Sequence, residues 1–584
     1  MKKPVRRSQP AQYLFQLALV FSFLLLGASS SWAIVVTNTN NAGVGSLRQA
    51  ILDANGDGVA TTITFDPAVF PATIFLTSQL PSMTGNGDTI DATGAGVVID
   101  GSALVAPDRG FTIRRSNITV RGLTVQNFPG DGIRVDTQGP SAVVTGVVID
   151  GNTVRNPVLR SGSRGIRVSG GVGPGKMVDA TVTNNTVTDS GVAGIVVNGN
   201  LNQSLDPGGN TVTALLDNNR VKKSKAGQAV GGFGGDGIDV VGGVGEGSDS
   251  NVTATVSNNV VMDNRDDGIV AVGCGLLASG VNNTVNVTII NNSVRDNGVL
   301  NPDLVTNTGI VVSGASREEE IAGGEEASTC VGNTVQFEIS GNTVIGNRTQ
   351  NITVSGGPGT GHDVQGIVSA NSAKDSLEGN GIQITGGRGT GTLVHDVTVS
   401  NNQVTGNFNR GIIISGGTET IDAVLTGIDV LSNNVRSNGN QGILVSGGTL
   451  SENATISDLL INGNTSNSNG NRGIHVTRGA TLSAFPPVIS LVGITDNTAN
   501  SNVDDGIFIS DNIPGSGTTP ISGNRADRNG ADGIQISSTN STGYVLSNNT
   551  ASRNAGRGIT APGNTNGGGN KATGNASCNT PGCY

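Results

Sequence analysis

Large aromatic side chains are nearly absent from this sequence: 3% of its 584 residues, with a single tryptophan and three tyrosines. Trp32 and Tyr13 both fall at the N-terminus, so the rest of the chain carries only Tyr544 and Tyr584 beside its phenylalanines. A core built on large rings is thereby excluded, and the missing tryptophan weakens any role on neutral sugars, which aromatic platforms hold by stacking. Basic charge is also short. Lysine and arginine number 34 against 44 aspartates and glutamates, the reverse of the basic surface that phosphate backbones require, and nucleic acid is not an expected partner. Beyond Leu26 no stretch is apolar enough to cross a bilayer. Glycine, by contrast, is plentiful at 90 residues, as in a chain that turns often and repeats.

Lys2, Lys3, Arg6 and Arg7 form a basic head, and an apolar run from Tyr13 to Leu26 follows. Ser31-Trp32-Ala33 then places small residues where a signal peptidase reads, so residues 1–33 are expected to be a secretory signal cleaved after Ala33, with the product secreted or at the cell surface. Cleavage there removes four positive charges and no acid, leaving 30 basic against 44 acidic residues over 551. Four cysteines in an exported chain read first as two disulfides, with four free thiols as the alternative. Cys578 and Cys583 are near enough in sequence to close a small loop, which leaves Cys274 and Cys330 for each other.

Self-comparison organises what remains. A glycine followed by isoleucine recurs at Gly132, Gly165, Gly194, Gly237, Gly268, Gly309, Gly381, Gly411, Gly442, Gly473, Gly506, Gly533 and Gly558. Asn351-Ile352 fills the slot between Gly309 and Gly381. Asparagine is the non-glycine residue that best tolerates a left-handed backbone, so the exchange predicts a positive-φ corner in every repeat. An asparagine also opens a short strand at Asn152, Asn185, Asn219, Asn259, Asn292, Asn342, Asn371, Asn402, Asn434, Asn464, Asn497, Asn524 and Asn549. Repeats recur mostly every 29 to 33 residues, shortening to 27 and 25 near the end. Strands such as Ala180-Thr181-Val182-Thr183 alternate with period two.

Short strands between fixed corners describe one coil of a solenoid, whose apolar side is buried only by stacking. Stacked asparagines bond coil to coil as amide ladders, and about fourteen coils at ~4.8 Å each span roughly 65 Å. The expected fold is all-β, a right-handed parallel β-helix over residues 101–577. An N-terminal cap and first coils take 34–100, and a C-terminal cap takes 578–584. Ser46-Leu47-Arg48-Gln49 is a capping box, and Leu47, Ala50, Ile51 and Ala54 follow at helical spacing. A helix at about 46–55 is thus expected across the first coil, covering an edge that would otherwise invite pairing.

The segment from Val36-Thr37-Asn38-Thr39-Asn40 through Ser46-Leu47-Arg48-Gln49-Ala50-Ile51 to Ile63-Thr64-Phe65-Asp66 resembles the opening of bacterial secreted β-helix repeat proteins, which often carry a Cys-Ser-Leu-Arg-Glu-Ala-Ile element. Gly45 stands here for that cysteine and Gln49 for the glutamate. With the repeats, the resemblance covers essentially the whole mature chain and implies the pectate-lyase-like superfamily fold. It implies no single activity, because that fold carries lyases, hydrolases, epimerases and adhesins alike.

Insertions in repeat proteins often mark the binding face. The spans from Asn152 to Gly165, Asn219 to Gly237 and Asn292 to Gly309 are all longer than usual, and are expected to bulge from one corner. They carry Arg155, Arg160, Arg164, Lys222, Lys223, Lys225 and Arg295. Of these, Arg160, Arg164, Lys222, Lys223 and Lys225 are the binding candidates; a solvated loop is the plainer reading. Beside them, Gly235-Asp236-Gly237-Ile238-Asp239 and then Asp266-Asp267 one coil later resemble the polygalacturonase-type motif. That resemblance makes Asp236, Asp266 and Asp267 catalytic candidates, since glycoside hydrolysis needs one carboxyl to protonate the leaving oxygen and another to activate water. The Gly-His-Gly and Arg-x-Lys elements are absent, and Asp131, Asp505 and Asp532 also precede corner glycines, where aspartate is good turn chemistry by itself.

His362, His395 and His475 do not converge, and no ligand spacing suggests zinc. Glu318-Glu319-Glu320 with Glu325 and Glu326 could gather calcium, although a solvated insertion is the plainer reading. No other cofactor is expected, and a monomer is. The leading expectation is a non-catalytic extracellular scaffold of adhesin-like character that binds acidic polysaccharide or a surface glycan. The alternative is a lyase, hydrolase or epimerase on uronate-type glycans. Mass spectrometry of the exported protein is expected to find Ile34 at its amino terminus; retention of the apolar run would instead mark an uncleaved anchor.

Overall fold

β-Branched residues at alternate positions favour short extended segments, and here they wind into a coil of three strands. The computed structural model describes residues 32–138, 142–155, 163–200, 209–224, 235–243, 249–275, 280–299, 307–316, 329–479, 485–510, 512–537 and 540–577. One full turn runs Met177–Thr183, Thr186–Thr188 and Ala193–Asn198 before the next turn begins at Thr211–Asp217. These three positions build three long parallel sheets, here called A, B and C. The architecture is a right-handed parallel β-helix.

Its interior is a stack of like on like. In sheet C the isoleucine after each corner pairs with the next, from Ile133 through Ile166, Ile195, Ile238 and Ile269 to Ile310, and on from Ile352 to Ile559. All of these are buried. Sheet B contributes a parallel file of valines that includes Val154, Val187, Val221, Val261 and Val294.

Asparagine side chains close the turn from sheet A to sheet B. Asn402 is representative: its backbone N–H donates to the side-chain oxygen of Asn433 at 3.0 Å, and its amide nitrogen donates to the same oxygen at 2.9 Å and to the Val368 carbonyl at 2.9 Å. The file runs unbroken from Asn152 to Asn570. Its ninth member is Asn433; Asn434, the residue singled out by the sequence pattern, begins the sheet B strand Asn434–Arg436 instead. A second file closes the turn from sheet B to sheet C and includes Asn264, Asn297, Asn347, Asn407, Asn438 and Asn469.

The corner glycines correct one expectation. None of the thirteen Gly-Ile glycines has positive φ. Close approach is what demands them: a Cβ on Gly411 would meet Cγ1 of Val435 at 2.2 Å, the Gly442 carbonyl at 2.6 Å and the Asn438 amide at 2.8 Å. Asn351 fits because its coil neighbours shrink. Ala373 stands where the valine file would continue, and Ser376 where the second asparagine file would. The Asn351 side chain then bridges the gap left at Ser376, accepting from Asn347 at 3.0 Å and donating to Asn407 at 2.8 Å.

At the N-terminus a helix, α1 (Leu47–Asp57), buries Leu47, Ala50, Ile51 and Ala54, and Ser46 caps it by accepting from the Gln49 N–H. Arg48 latches this cap to the first coils, donating to the carbonyls of Asn41 (2.8 Å), Gln79 (2.6 Å) and Ser78 (2.7 Å). The first strand, Trp32–Val36, pairs with Thr61–Phe65, so cleavage after Ala33 would leave Ile34, Val35 and Val36 of it in place. Cys274 and Cys330 form a disulfide, Cα–Cα 6.3 Å, that ties two successive turns from sheet C to sheet A. Cys578 and Cys583, like the glutamate run at 318–326, lie outside the described residues.

Replacing Asn351 by Gly is expected to remove its bonds to Asn347, Asn407 and the Lys374 carbonyl and cost about 1–3 kcal/mol. Ser376→Asn alone is expected to destabilise by crowding. Adding Ala373→Val and Ser376→Asn to Asn351→Gly is expected to restore stability by rebuilding the regular coil. Denaturant midpoints and hydrogen exchange across Thr343–Ile345 and Ser372–Lys374 would test this, and additive losses would contradict it.

Candidate functional site

The residue two places after each corner glycine points outward from sheet C. Down the stack these are Arg134, Arg167, Val196, Asp239, Val270 and Val311. An outward side chain on an open sheet is normally wet, yet Arg134 is 4% exposed and Arg167 6%. Neighbouring residues therefore rise above the sheet and make its outer face the floor of a trough. The described ends of the segments joining sheet B to C and sheet C to A flank it. All three long insertions join sheet B to sheet C: Thr153–Arg155 to Ile166–Ser169, Arg220–Lys222 to Asp236–Gly243, and Ser293–Arg295 to Ile310–Ser313.

The first coils of the trough are cationic. Asp131 lies 3.9 Å from each of Arg109, Arg134 and Arg164, and Asp136 lies 2.9 Å from Arg114 and 2.6 Å from Arg134. Burial lowers the pKa of Arg134, and it pulls Arg167 well below the usual guanidinium value, with Arg164 adding repulsion.

Two coils further on come the carboxylates. Asp236, Asp266 and Asp267 each present an oxygen within 4.8 Å of the others. Asp266 is buried and the other two partly so. Part of their duty is structural. Asp236 accepts the backbone N–H of Asp267 at 3.0 Å, and Asp267 accepts that of Thr308. Asn380, Asp505 and Asp532 cap the next coil from the same slot. Asp239 differs: it stands on the floor, its Oδ1 is buried without a hydrogen bond, and burial raises its pKa to about 7 against the pull of Arg164, with Asp267 raising it further. Oxygen-only ligands such as the trio suit calcium in kind.

The lysines singled out as binding candidates fall elsewhere on the coil. Lys222 ends a sheet B strand, in one row with Arg155 and Arg295, and Lys223 occupies the exposed corner after it at φ 57°. Arg160 and Lys225 lie outside the described residues. Among the described residues the cation that acts on Asp239 is Arg164. Arg134, Arg167 and Asp239 were not among the candidates. The signal for them was present, since reading the second residue after each corner glycine down the repeats picks out this row.

The histidines stay apart. His362 substitutes for an asparagine at the turn from sheet C to A, its Nδ1 accepting from the Asn333 N–H at 3.2 Å and its Nε2 bonding the Pro358 carbonyl at 2.8 Å. His475 sits on the trough floor seven coils beyond Asp239, held neutral by burial and by Arg472 and Arg410, with a pKa of about 3. His395, on sheet A, bonds Asp396 and Asp363, each at 2.9 Å.

The family model for the right-handed beta helix region matches residues 109–323. Among curated proteins none matches this sequence. Solved structures similar to it include a mutant of the periplasmic alginate epimerase AlgG, 12% identical over 78% of this chain and 83% of that one, with a TM-score of 0.34. The catalytic domain of GH87 alpha-1,3-glucanase with nigerose is 13% identical over 79% and 69%, TM-score 0.35. Pectate lyase Pel9A is 12% identical over 69% and 80%, TM-score 0.31.

Partial burial opposes the charge on His395, but its hydrogen bond to Asp396 and the field of Asp363 outweigh that and raise its pKa. The imidazolium therefore stabilises the folded state fully below the unfolded pKa, and the stabilisation is lost as pH rises through the folded value. The stability gap between wild type and His395→Gln is expected to be small, largest in mild acid and absent in base. A gap that widens with pH would contradict this assignment.

Proposed function

We propose that this chain works outside the cytoplasm as a scaffold that holds an acidic polysaccharide along the outer face of sheet C. The carrying observation is the cationic mouth of the trough. Among the described residues Arg109, Arg114, Arg134, Arg164 and Arg167 outnumber Asp131 and Asp136, and two of these arginines are sunk in the floor. Guanidinium is the planar fork that matches a carboxylate. Placed in a chain of net charge −10, it concentrates anion attraction in one place. The basic head and apolar run expected to act as a secretory signal support an extracytoplasmic setting. Where the glycan crosses Asp236, Asp266 and Asp267, its own carboxylates are repelled, and calcium bridging is the chemistry that relieves this.

A second reading, hydrolysis or a related reaction of the same glycan, has one specific observation behind it. Burial, with Asp267 close by, raises the pKa of Asp239 to about 7. A protonated carboxyl beside a second carboxyl is the pairing that general acid catalysis of glycoside cleavage uses. On this reading Asp239 donates to the leaving oxygen, and the rate falls as pH rises through about 7.

Both are tested on the mature protein with uronan polymers. Retention in affinity electrophoresis is expected, weakening as salt rises, and Arg134→Gln with Arg167→Gln is expected to abolish it while circular dichroism stays unchanged. Retention by that double variant at wild-type level would end the scaffold reading. New reducing ends or unsaturated products, lost in Asp239→Asn, would establish catalysis, and calcium chelation separates an ion-dependent step from a purely ionic one.

A further inference from the structure

Arg410 precedes the corner glycine Gly411, in the slot that Asp267 fills four coils earlier by way of Thr308, Gln350 and Asn380. Its half-buried guanidinium donates through Nε to Gln441 at 3.0 Å. It forms no salt bridge to a carboxylate among the described residues, and its side chain is only partly buried. Arg472, two coils further in the same slot, is engaged on every side: Asp504 and Asp505 each lie 3.0 Å away, and the guanidinium covers the Phe508 ring at 4.3 Å. The contrast isolates Arg410 as a cation held in place and left unneutralised.

Phe408 stands two residues before it, 66% exposed in a chain with few aromatics. Leu377, in the same slot of the preceding coil, is 47% exposed, while Gly439 and Gly470 fill that slot in the next two coils. The rim of the trough thus carries an apolar ledge at Leu377 and Phe408, beyond which the next two coils present no side chain in that slot.

We infer that Phe408 and Arg410 form a subsite for one acidic pyranose residue, Phe408 offering a flat apolar surface to the sugar's C–H face and Arg410 a fork for its carboxylate. This rests on the acidic-glycan reading and extends it. The subsite lies four coil steps from Asp267, ~19 Å, and seven from Arg164, ~34 Å. One extended chain therefore reaches from the cationic mouth to Arg410 only above that length.

The test is calorimetric titration of the full mature protein with oligouronates of graded length. Wild type is expected to gain affinity in a step, about tenfold or more, once oligomers exceed ~34 Å. Arg410→Gln and Phe408→Ala are expected to lose the step while short oligomers still bind, and Arg410→Lys to recover only part of it. Circular dichroism and thermal melting check that each variant folds. If short oligomers bind wild type and no step appears, or Arg410→Gln keeps the step, the subsite is overturned while the acidic-glycan reading stands. If no oligomer or polymer binds wild type, that reading falls and the subsite falls with it.

Discussion

A parallel solenoid turns its backbone through a buried corner once per sheet, and every N–H and C=O left there must find a partner away from water. The asparagine amide solves this along one direction. Its oxygen accepts both the backbone and the side-chain N–H of the coil before, and its nitrogen reaches a strand carbonyl of that same preceding coil, as Asn402 does with Val368. The same atoms fix register, because a slip of one residue would put the amide outside and the neighbouring strand's apolar side chains in water. The isoleucine file, the valine file and the spacing of the trough residues all follow from that registration.

The fold was legible because it is written many times. Gly-Ile and corner Asn recur at a period that no helix or sandwich would keep, and the Ser46 cap announced α1 by ordinary capping chemistry. Why the glycines are there was not legible. Sequence shows that a Cβ is missing, but only packing shows that Val435 and Gly442 stand where Gly411 would carry one. The Asn433 and Asn434 pair was ambiguous for a related reason: two adjacent asparagines fit the pattern, and only one faces inward.

The candidate site was legible in part. Asp236, Asp266 and Asp267 were visible as a motif and do come together, but the motif overlaps a capping device used by Asn380, Asp505 and Asp532. Convergence of acids in such a slot therefore says less about chemistry than it would on a loop. Asp239, Arg134 and Arg167 carry more information, because buried ionisable groups on an outward face are costly and serve no stacking role. Lysines drew attention by rarity, yet rarity in composition does not decide which of three faces a residue lands on.

Asn351, Ala373 and Ser376 belong to two successive coils and make sense only together. Were the coil of Ala373 and Ser376 excised, Asn351 would lie against Val404 and Asn407, whose side chains leave no room for a Cβ at the equivalent glycines. The solenoid is therefore not a string of exchangeable units. Whole coils can be removed elsewhere along the stack, but removal at this junction also demands that Asn351 become glycine.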